Sequence, residues 1–349
     1  MHFSPNLIEE PLPGPYPVLP RQVRGDVFGR EALPEILDEF DPDLVLLFHD
    51  PPFWSVHRET IAAHQSKSGG RPFCAFYCPI EWPDINPEIL RGMKGVDLLV
   101  LYTRFGLEVT MSAFRESPSE MPPAAIIPHG VDTEIFRPLF GGSRRQAKRH
   151  LFPSQPELWD SFMVLNANRN CPRKRLDLTM EAFALLTLRH SDLYLYLHTG
   201  MEDCGIDVLD YAEQLGIRDR LVVTHMDPKQ PQLCDEELNL IYNACDIGLN
   251  TSSGEGWGLV SFEHAATGAP QIVPGHTACR ENWLGRAEVL PVEDGLVSVE
   301  DIAEAIERLY LDRGLRRTLS DIGLEYVHEP RFEWCRIGEE WRRLLLSAL

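Results

Sequence analysis

The sequence of 349 residues predicts an α/β protein of two doubly wound parallel sheets, and three observations carry the prediction. Short apolar runs alternate with stretches of helical spacing, the pattern of parallel strands buried on both faces and joined by helices. The alternation is interrupted once, by P-H-G-V-D-T-E-I-F-R-P-L-F-G-G over residues 128–142, and then restarts. The chain is also long enough for two cores. We place a first domain at 1–135, a second at 136–330 and a closing helix at 331–349. Ligands of such sheets bind at the carboxyl ends of the strands, so two facing sheets are expected to enclose a cleft.

The elements follow in order. Six prolines between Pro5 and Pro20 favour extended or irregular chain. A helix is expected over residues 30–40, then Asp43 to Phe48 as a buried strand ending in His49-Asp50-Pro51-Pro52. Strands are read at 73–77, 97–102 and 125–127, with helices near 55–67, 86–93 and 104–115. Behind the connector, strands at 162–166, 193–198, 221–224, 246–249, 271–273 and 287–290 alternate with helices near 175–189, 208–215, 235–244 and after Gly258. Helical segments near 299–311, 313–327 and 333–346 close the chain.

The formal charge of −20 argues against general nucleic-acid binding, because a polyanion is repelled except at a local basic patch. One such patch, Arg144, Arg145, Lys148 and Arg149, has the spacing of an exposed helix face. We read it as solvated, with a peripheral membrane or acceptor contact as the alternative. No apolar run approaches the roughly 20 residues of a membrane span, and the first residues carry no signal-peptide pattern, so a cytoplasmic protein is expected. Eight cysteines without C-x-x-C pairs read as reduced, mostly buried thiols.

The chemistry concentrates in G-E-G-W-G-L-V-S-F-E-H-A-A-T-G-A-P, residues 254–270. Strand, glycine loop and helix follow one another there, which leaves unpaired backbone N–H groups beside the positive end of a helix dipole and favours phosphate. Glu255 in the loop and Glu263 in the helix supply acceptor-only carboxylates suited to hydroxyl-rich ligands such as ribose and hexose, unless both are simply solvated. A second group lies in A-N-R-N-C-P-R-K-R-L-D, where Arg169 and Lys174 follow the strand at 162–166. They could grip a diphosphate opposite the helix N-terminus; the alternative is that Arg173, Lys174 and Arg175 form a surface cluster.

Together these segments resemble glycosyltransferase family 4, the retaining nucleotide-sugar-dependent enzymes of the GT-B fold. Arg169 and Lys174 match its Arg, four residues, Lys pattern, and Glu255 and Glu263 its Glu, seven residues, Glu signature. The segment I-P-H-G-V-D-T-E-I-F-R-P resembles its interdomain linker. The resemblance implies that Arg169 and Lys174 bind the donor diphosphate and Glu263 the ribose. Glu255 would bond hydroxyls of the donor sugar, and Gly254, Gly256, Trp257, Gly258 and Leu259 would form the phosphate cradle. It implies a nucleotide-diphosphate-sugar co-substrate, a saccharide, lipid-linked or other hydroxyl acceptor, and neither a tightly bound cofactor nor a metal.

The N-terminal half departs from the family. Many relatives place a histidine where Tyr77, Cys78 and Glu81 stand here, and Glu81 could stand in for an aspartate of some members. His49 and Asp50 are the other candidates there, divided between acceptor contact and loop structure; His129 reads as a linker residue. Glu255, Arg169, Lys174, Glu81 and His49 are thus the candidate catalytic residues. The usual opening strand, glycine loop and helix are missing, so a truncated first domain with exposed apolar edges is expected. A catalytically silent nucleotide-sugar-binding protein is the rival reading. An epimerase or phosphorylase of the same fold comes third, and no pyridoxal-phosphate lysine is identified for the latter.

Overall fold

The computed structural model describes residues 26, 28–227 and 229–348, with the backbone of two short strands, β1 (His2–Phe3) and β2 (Val18–Leu19), paired in parallel. The prolines from Pro5 to Pro20 lie outside the described residues. The chain divides into two compact units, Met1–Ile127 with Leu344–Leu349, and Pro128–Arg343. The second unit therefore begins earlier than residue 136, because the connector belongs to it: the Val131 N–H donates to the Phe332 carbonyl at 3.1 Å, and Gly130 lies against the Trp334 ring.

In the first unit, β3 (Leu44–Phe48), β4 (Phe73–Cys78), β5 (Leu98–Leu101) and β6 (Ala124–Ile126) form a parallel sheet in chain order. Its helices are α1 (Leu33–Phe40), α2 (Trp54–Lys67), α3 (Pro87–Arg91) and α4 (Arg104–Ala113). The run Leu98-Leu-Val-Leu101 is buried at every position, as a central parallel strand requires. Its core gathers Trp54, Phe76, Leu90, Leu99 and Phe114. The Asp43 to Phe48 run, expected to be buried, is corrected: β3 has one neighbour in the four-stranded sheet, and Leu46 and Phe48 are 46% and 63% exposed.

The second unit opens with α5 (Arg144–Leu151), followed by β7 (Phe162–Asn166), α6 (Leu176–Thr187), β8 (Leu193–Leu197), α7 (Val208–Gln214) and β9 (Leu221–Val223). Next come α8 (Asp235–Ala244), β10 (Ile247–Leu249), α9 (Leu259–Ala266), β11 (Gln271–Pro274), α10 (Thr277–Trp283) and β12 (Glu288–Leu290). It ends with α11 (Val299–Leu311), α12 (Arg313–Val327) and most of α13 (Trp334–Ala348). All six strands are parallel, in the order β12-β11-β10-β7-β8-β9. The chain winds outward from β7 to β9, returns to β10 beside β7 and winds the other way. The loops after β7 and β10 therefore diverge, and this switch point is where such sheets bind ligands. An aromatic group fills the space behind α9: Phe262 meets Trp257 at 4.7 Å, Trp283 at 5.1 Å, Phe332 at 5.2 Å and Tyr326 at 5.8 Å between ring centroids. Each such buried ring contributes about 1.5–3 kcal/mol.

Two expectations about charge and thiols change. Of the basic patch, Arg144 and Lys148 share the inner face of α5 at a spacing of four, and Arg145 and Arg149 the outer one. Lys148 is 2% exposed and pairs with Asp246 at 2.6 Å, while half-buried Arg144 donates to the Thr267 and Tyr242 carbonyls at 2.9 and 3.1 Å. Half of the patch thus ties α5 inward and is not a solvated face. The cysteines are free; Cys74, Cys78, Cys245 and Cys279 are buried, Cys171 is half-buried, and Cys204, Cys234 and Cys335 are exposed. Among the described residues no helix is long and apolar enough to cross a membrane.

Candidate functional site

The loops after β7 and β10 are joined by short polar side chains that the sequence places at both strand ends. The Asn166 amide donates to the Thr179 hydroxyl at 2.9 Å, and Thr179 lies 2.9 Å from the Thr251 hydroxyl. Thr251 donates to the Arg175 carbonyl at 2.9 Å, with that of Lys174 at 3.0 Å. The Ser253 N–H donates to the Arg173 carbonyl at 2.8 Å. Buried and mutually satisfied, these groups fix the backbone from which the charged side chains project.

Glu255 is the centre of that arrangement and is 4% exposed. Its carboxylate accepts from Lys174 Nζ, from Arg173 Nη1 at 3.2 Å, from the Asn250 amide at 3.2 Å and from the Ser252 hydroxyl at 3.1 Å. Burial pushes its pKa up, but the charges of Lys174 and Arg173 and the hydrogen bonds of Lys174 and Asn250 outweigh it and hold the carboxyl at about 2. Glu255 is therefore a permanent anion whose cations are held in place. The Glu255 N–H donates to the Thr277 hydroxyl at 3.2 Å, and its carbonyl accepts from the Ala278 N–H at 3.2 Å, which joins the loop to α10.

The glycine loop enters α9 through Gly258, whose φ of +91° strains any residue with a Cβ. Among the described residues no side chain caps α9, so its first N–H groups and dipole end are open to an anion. Gly254, Gly256 and Trp257 are buried, Gly258 is half-buried and Leu259 is exposed. Trp257 lies edge-on to His129 at 6.0 Å. Burial lowers the His129 pKa to about 4, so its ring is neutral. Glu263 is on the same helix but turns to α8, where it accepts from the Tyr242 hydroxyl at 2.8 Å. Burial raises its pKa to about 7; the Tyr242 hydrogen bond opposes the shift and Asp235 adds to it.

The predicted residues thus separate into groups. Lys174, Glu255 and Gly254 come together, and Arg173 joins them, donating to the Gly254 carbonyl at 2.6 Å as well as to Glu255. The surface-cluster reading of Arg173 is corrected: it is half-buried and ion-paired. Arg169 is paired instead through Nε and Nη2 with Asp203 at 2.6 and 3.1 Å. In the first unit, His49 directly follows β3 and its ring lies tilted on that of Phe53, 3.6 Å between centroids; burial lowers its pKa and Asp50 opposes that shift. Glu81 follows β4, half-buried, and its charge is felt by Tyr102.

Sequence reasoning missed Arg173, Asn250, Ser252, Thr277 and His276. His276 precedes α10, its Nδ1 lies 3.1 Å from the Thr277 hydroxyl, and its buried Nε2 has no partner among the described residues; the same holds for Trp257 Nε1. The signal available was local: Asn250 and Ser252 follow a strand directly and precede Glu255.

Residues 162–312 match the family model described as Glycosyl transferases group 1. The D-inositol 3-phosphate glycosyltransferase of Stackebrandtia nassauensis is 30% identical over 257 residues, which span 70% of this chain and 52% of that protein. The chain therefore spans about half the length of the curated relatives it matches. A sucrose-phosphate synthase from Thermosynechococcus elongatus superposes with a TM-score of 0.75 at 18% identity, over 99% of this chain and 88% of that one. HepE of Anabaena, solved in complex with UDP and glucose, gives 0.69 at 14% identity, over 95% and 85%. These likenesses show the fold, an α/β architecture of Rossmann-like units in the GT-B class. Through its residues 162–312 the chain resembles the glycosyl transferases group 1 family.

Proposed function

We propose that the chain is a retaining glycosyltransferase that moves a sugar from a nucleoside diphosphate sugar to a hydroxyl acceptor. The observation that carries this reading is the buried Lys174–Glu255–Arg173 cluster beside the uncapped N-terminus of α9, at the switch point of a six-stranded parallel sheet. Cations held by a permanent anion need no reorganisation when charge develops on a leaving diphosphate, which is what lowers such a barrier. Lys174 and Arg169 meet the phosphates with the α9 N–H groups, Glu263 takes the ribose hydroxyls, and Glu255 takes hydroxyls of the sugar. The leaving group is stabilised by these side chains, so a tightly bound metal is not part of the proposal.

Retention follows if the acceptor attacks the face from which the diphosphate departs, through an oxocarbenium-like state, with a donor phosphate oxygen taking the acceptor proton. His49 and Glu81 are the acceptor-side candidates. The names of the relatives point to polyols and sugar phosphates as the first acceptors to try. The test is a screen of UDP- and GDP-sugars for transfer and for donor hydrolysis, repeated with Glu263→Ala and Lys174→Ala. We expect activity with one donor and its loss in both variants; unchanged turnover in the variants refutes the assigned site. Nucleoside diphosphate binding without turnover under every acceptor would identify a silent binding protein instead.

A further inference from the structure

The segment between β8 and α7 reaches across to the loop after β7, and Asn170 is the joint between them. Its buried amide donates to the Ile206 carbonyl at 2.7 Å and the Gly200 carbonyl at 3.0 Å, and its Oδ1 accepts from the Ile206 N–H at 3.1 Å. The Cys204 N–H donates to the Asn170 carbonyl at 3.3 Å. Gly205 makes the approach possible: a Cβ there would lie 1.9 Å from Asn170 Oδ1. Within this turn Asp203 takes a φ of +33°, a left-handed backbone that aspartate tolerates better than most residues. The turn delivers its carboxylate to Arg169.

The pairing is side-on. Asp203 occupies Arg169 Nε–H at 2.6 Å and one N–H of Nη2 at 3.1 Å. A guanidinium carries five N–H groups in a planar fork, so among the described residues three remain, the pair on Nη1 and one on Nη2. The Arg169 side chain is 62% exposed and that of Asp203 13%, so the carboxylate is covered while the free edge of the guanidinium is open. An anion competing for the ligand's place would sit on that free edge; Asp203 does not.

We propose that Asp203 is a positioning residue for donor phosphates, holding Arg169 so that its Nη1/Nη2 edge can take phosphate oxygens in a fork. This inference rests on the donor-site reading above. An unpaired exposed arginine would have to be ordered at each binding event, and the pairing removes much of that entropy loss beforehand. Asp203 touches Arg169 and not the reacting atoms, so its contribution belongs to donor binding and not to the bond-breaking step.

The experiment is calorimetry with UDP and with GDP on the full chain, comparing the wild type with Asp203→Asn, Asp203→Glu, Arg169→Ala and the Arg169→Ala/Asp203→Asn double variant. Circular dichroism verifies the fold of each. We expect Asp203→Asn to weaken binding by about three- to tenfold, since an exposed charge-assisted pair has modest strength. Asp203→Glu should recover part of the loss, and the double variant should bind within twofold of Arg169→Ala. With a turned-over donor, KM should rise while kcat holds. Equal or tighter binding by Asp203→Asn overturns the proposal in favour of a competing anion. An undiminished loss on the Arg169→Ala background overturns it in favour of a structural role. If Arg169→Ala binds as the wild type does while Lys174→Ala, titrated alongside as the control for the donor site, does not, the Asp203 inference fails alone. If the wild type binds neither nucleotide, the donor-site reading fails and takes the inference with it.

Discussion

The carboxyl ends of the two sheets carry different chemistry. In the second unit the loops beyond β7 and β10 bury a carboxylate with a lysine and an arginine on it, inside a network of asparagine, serine and threonine. In the first unit the corresponding ends are aromatic: Phe48 stacks with Tyr77 at 5.5 Å, Tyr77 meets Tyr102 at 4.4 Å, and His49 lies on Phe53. Burial raises the Tyr77 and Tyr102 pKa values and lowers that of His49, so these groups are neutral at neutral pH. Fixed charge suits a ligand whose own charge grows during reaction; rings and hydroxyls, with the Asp50 and Glu81 carboxylates near them, suit the hydroxyls of a polyol. On the proposed function the second unit holds the donor and the first unit serves the acceptor.

The largest effect on this contrast is expected from Glu255→Ala. It strands Lys174 and Arg173 without their buried counter-charge, and removing one partner of such a pair typically costs about 3–5 kcal/mol. A thermal melt should show a clearly lowered midpoint, with donor turnover lost. A melt like that of the wild type would show that the cluster is not a structural unit. Lys174→Ala leaves Glu255 with Arg173 and its neutral donors; turnover should fall on the order of 10²- to 10³-fold, as when a group aimed at a developing anion is removed.

Glu263 gives a smaller, pH-dependent effect. Its folded pKa, about 7, lies above its ordinary value of 4.5, so between those values the folded state holds a proton that the unfolded state has released. Stability from this group is therefore present below about pH 4.5 and is lost as pH rises toward 7, a slope that Glu263→Gln should remove from melts across that range. Ribose hydroxyls donate best to the ionised carboxylate, so nucleoside diphosphate affinity should rise through about pH 7 in the wild type, more than in Glu263→Gln, which keeps only the rise from the terminal phosphate's own ionisation at about pH 6. The smallest effect on nucleotide binding is expected from His49→Ala and Glu81→Ala: UDP or GDP affinity within about twofold of wild type, with transfer reduced relative to donor hydrolysis. A large loss of nucleotide affinity in either would dissolve the division between the units.

Much of this was legible in the sequence, and the reasons are physical. Parallel strands covered on both faces appear as uninterrupted apolar runs, so β4, β5, β7 and β8 could be read directly. Lys174 and Glu255 could be singled out because each lies between a strand end and the start of the next helix, at the spacings to Arg169 and Glu263 that the resemblance rests on. The order of the sheet could not be read, since the return from β9 to β10 beside β7 leaves no local mark. Arg144 looked solvated because the carbonyl it caps, Thr267, is 123 positions away. Arg173 looked the same for a like reason: its partner Glu255 is 82 positions away. The helix α10 escaped because it begins at Thr277 with a φ of +50° and no side-chain cap, and runs only seven residues.

The central claim is that a diphosphate binds at the switch point between β7 and β10. Its most direct test is calorimetric titration of the wild type and Lys174→Ala with UDP and GDP at a pH above 7, where Glu263 is ionised. Binding of at least one nucleotide by the wild type, weakened tenfold or more in Lys174→Ala, is the expected result. Binding that Lys174→Ala leaves intact, or no binding of either nucleotide by the wild type, would contradict it.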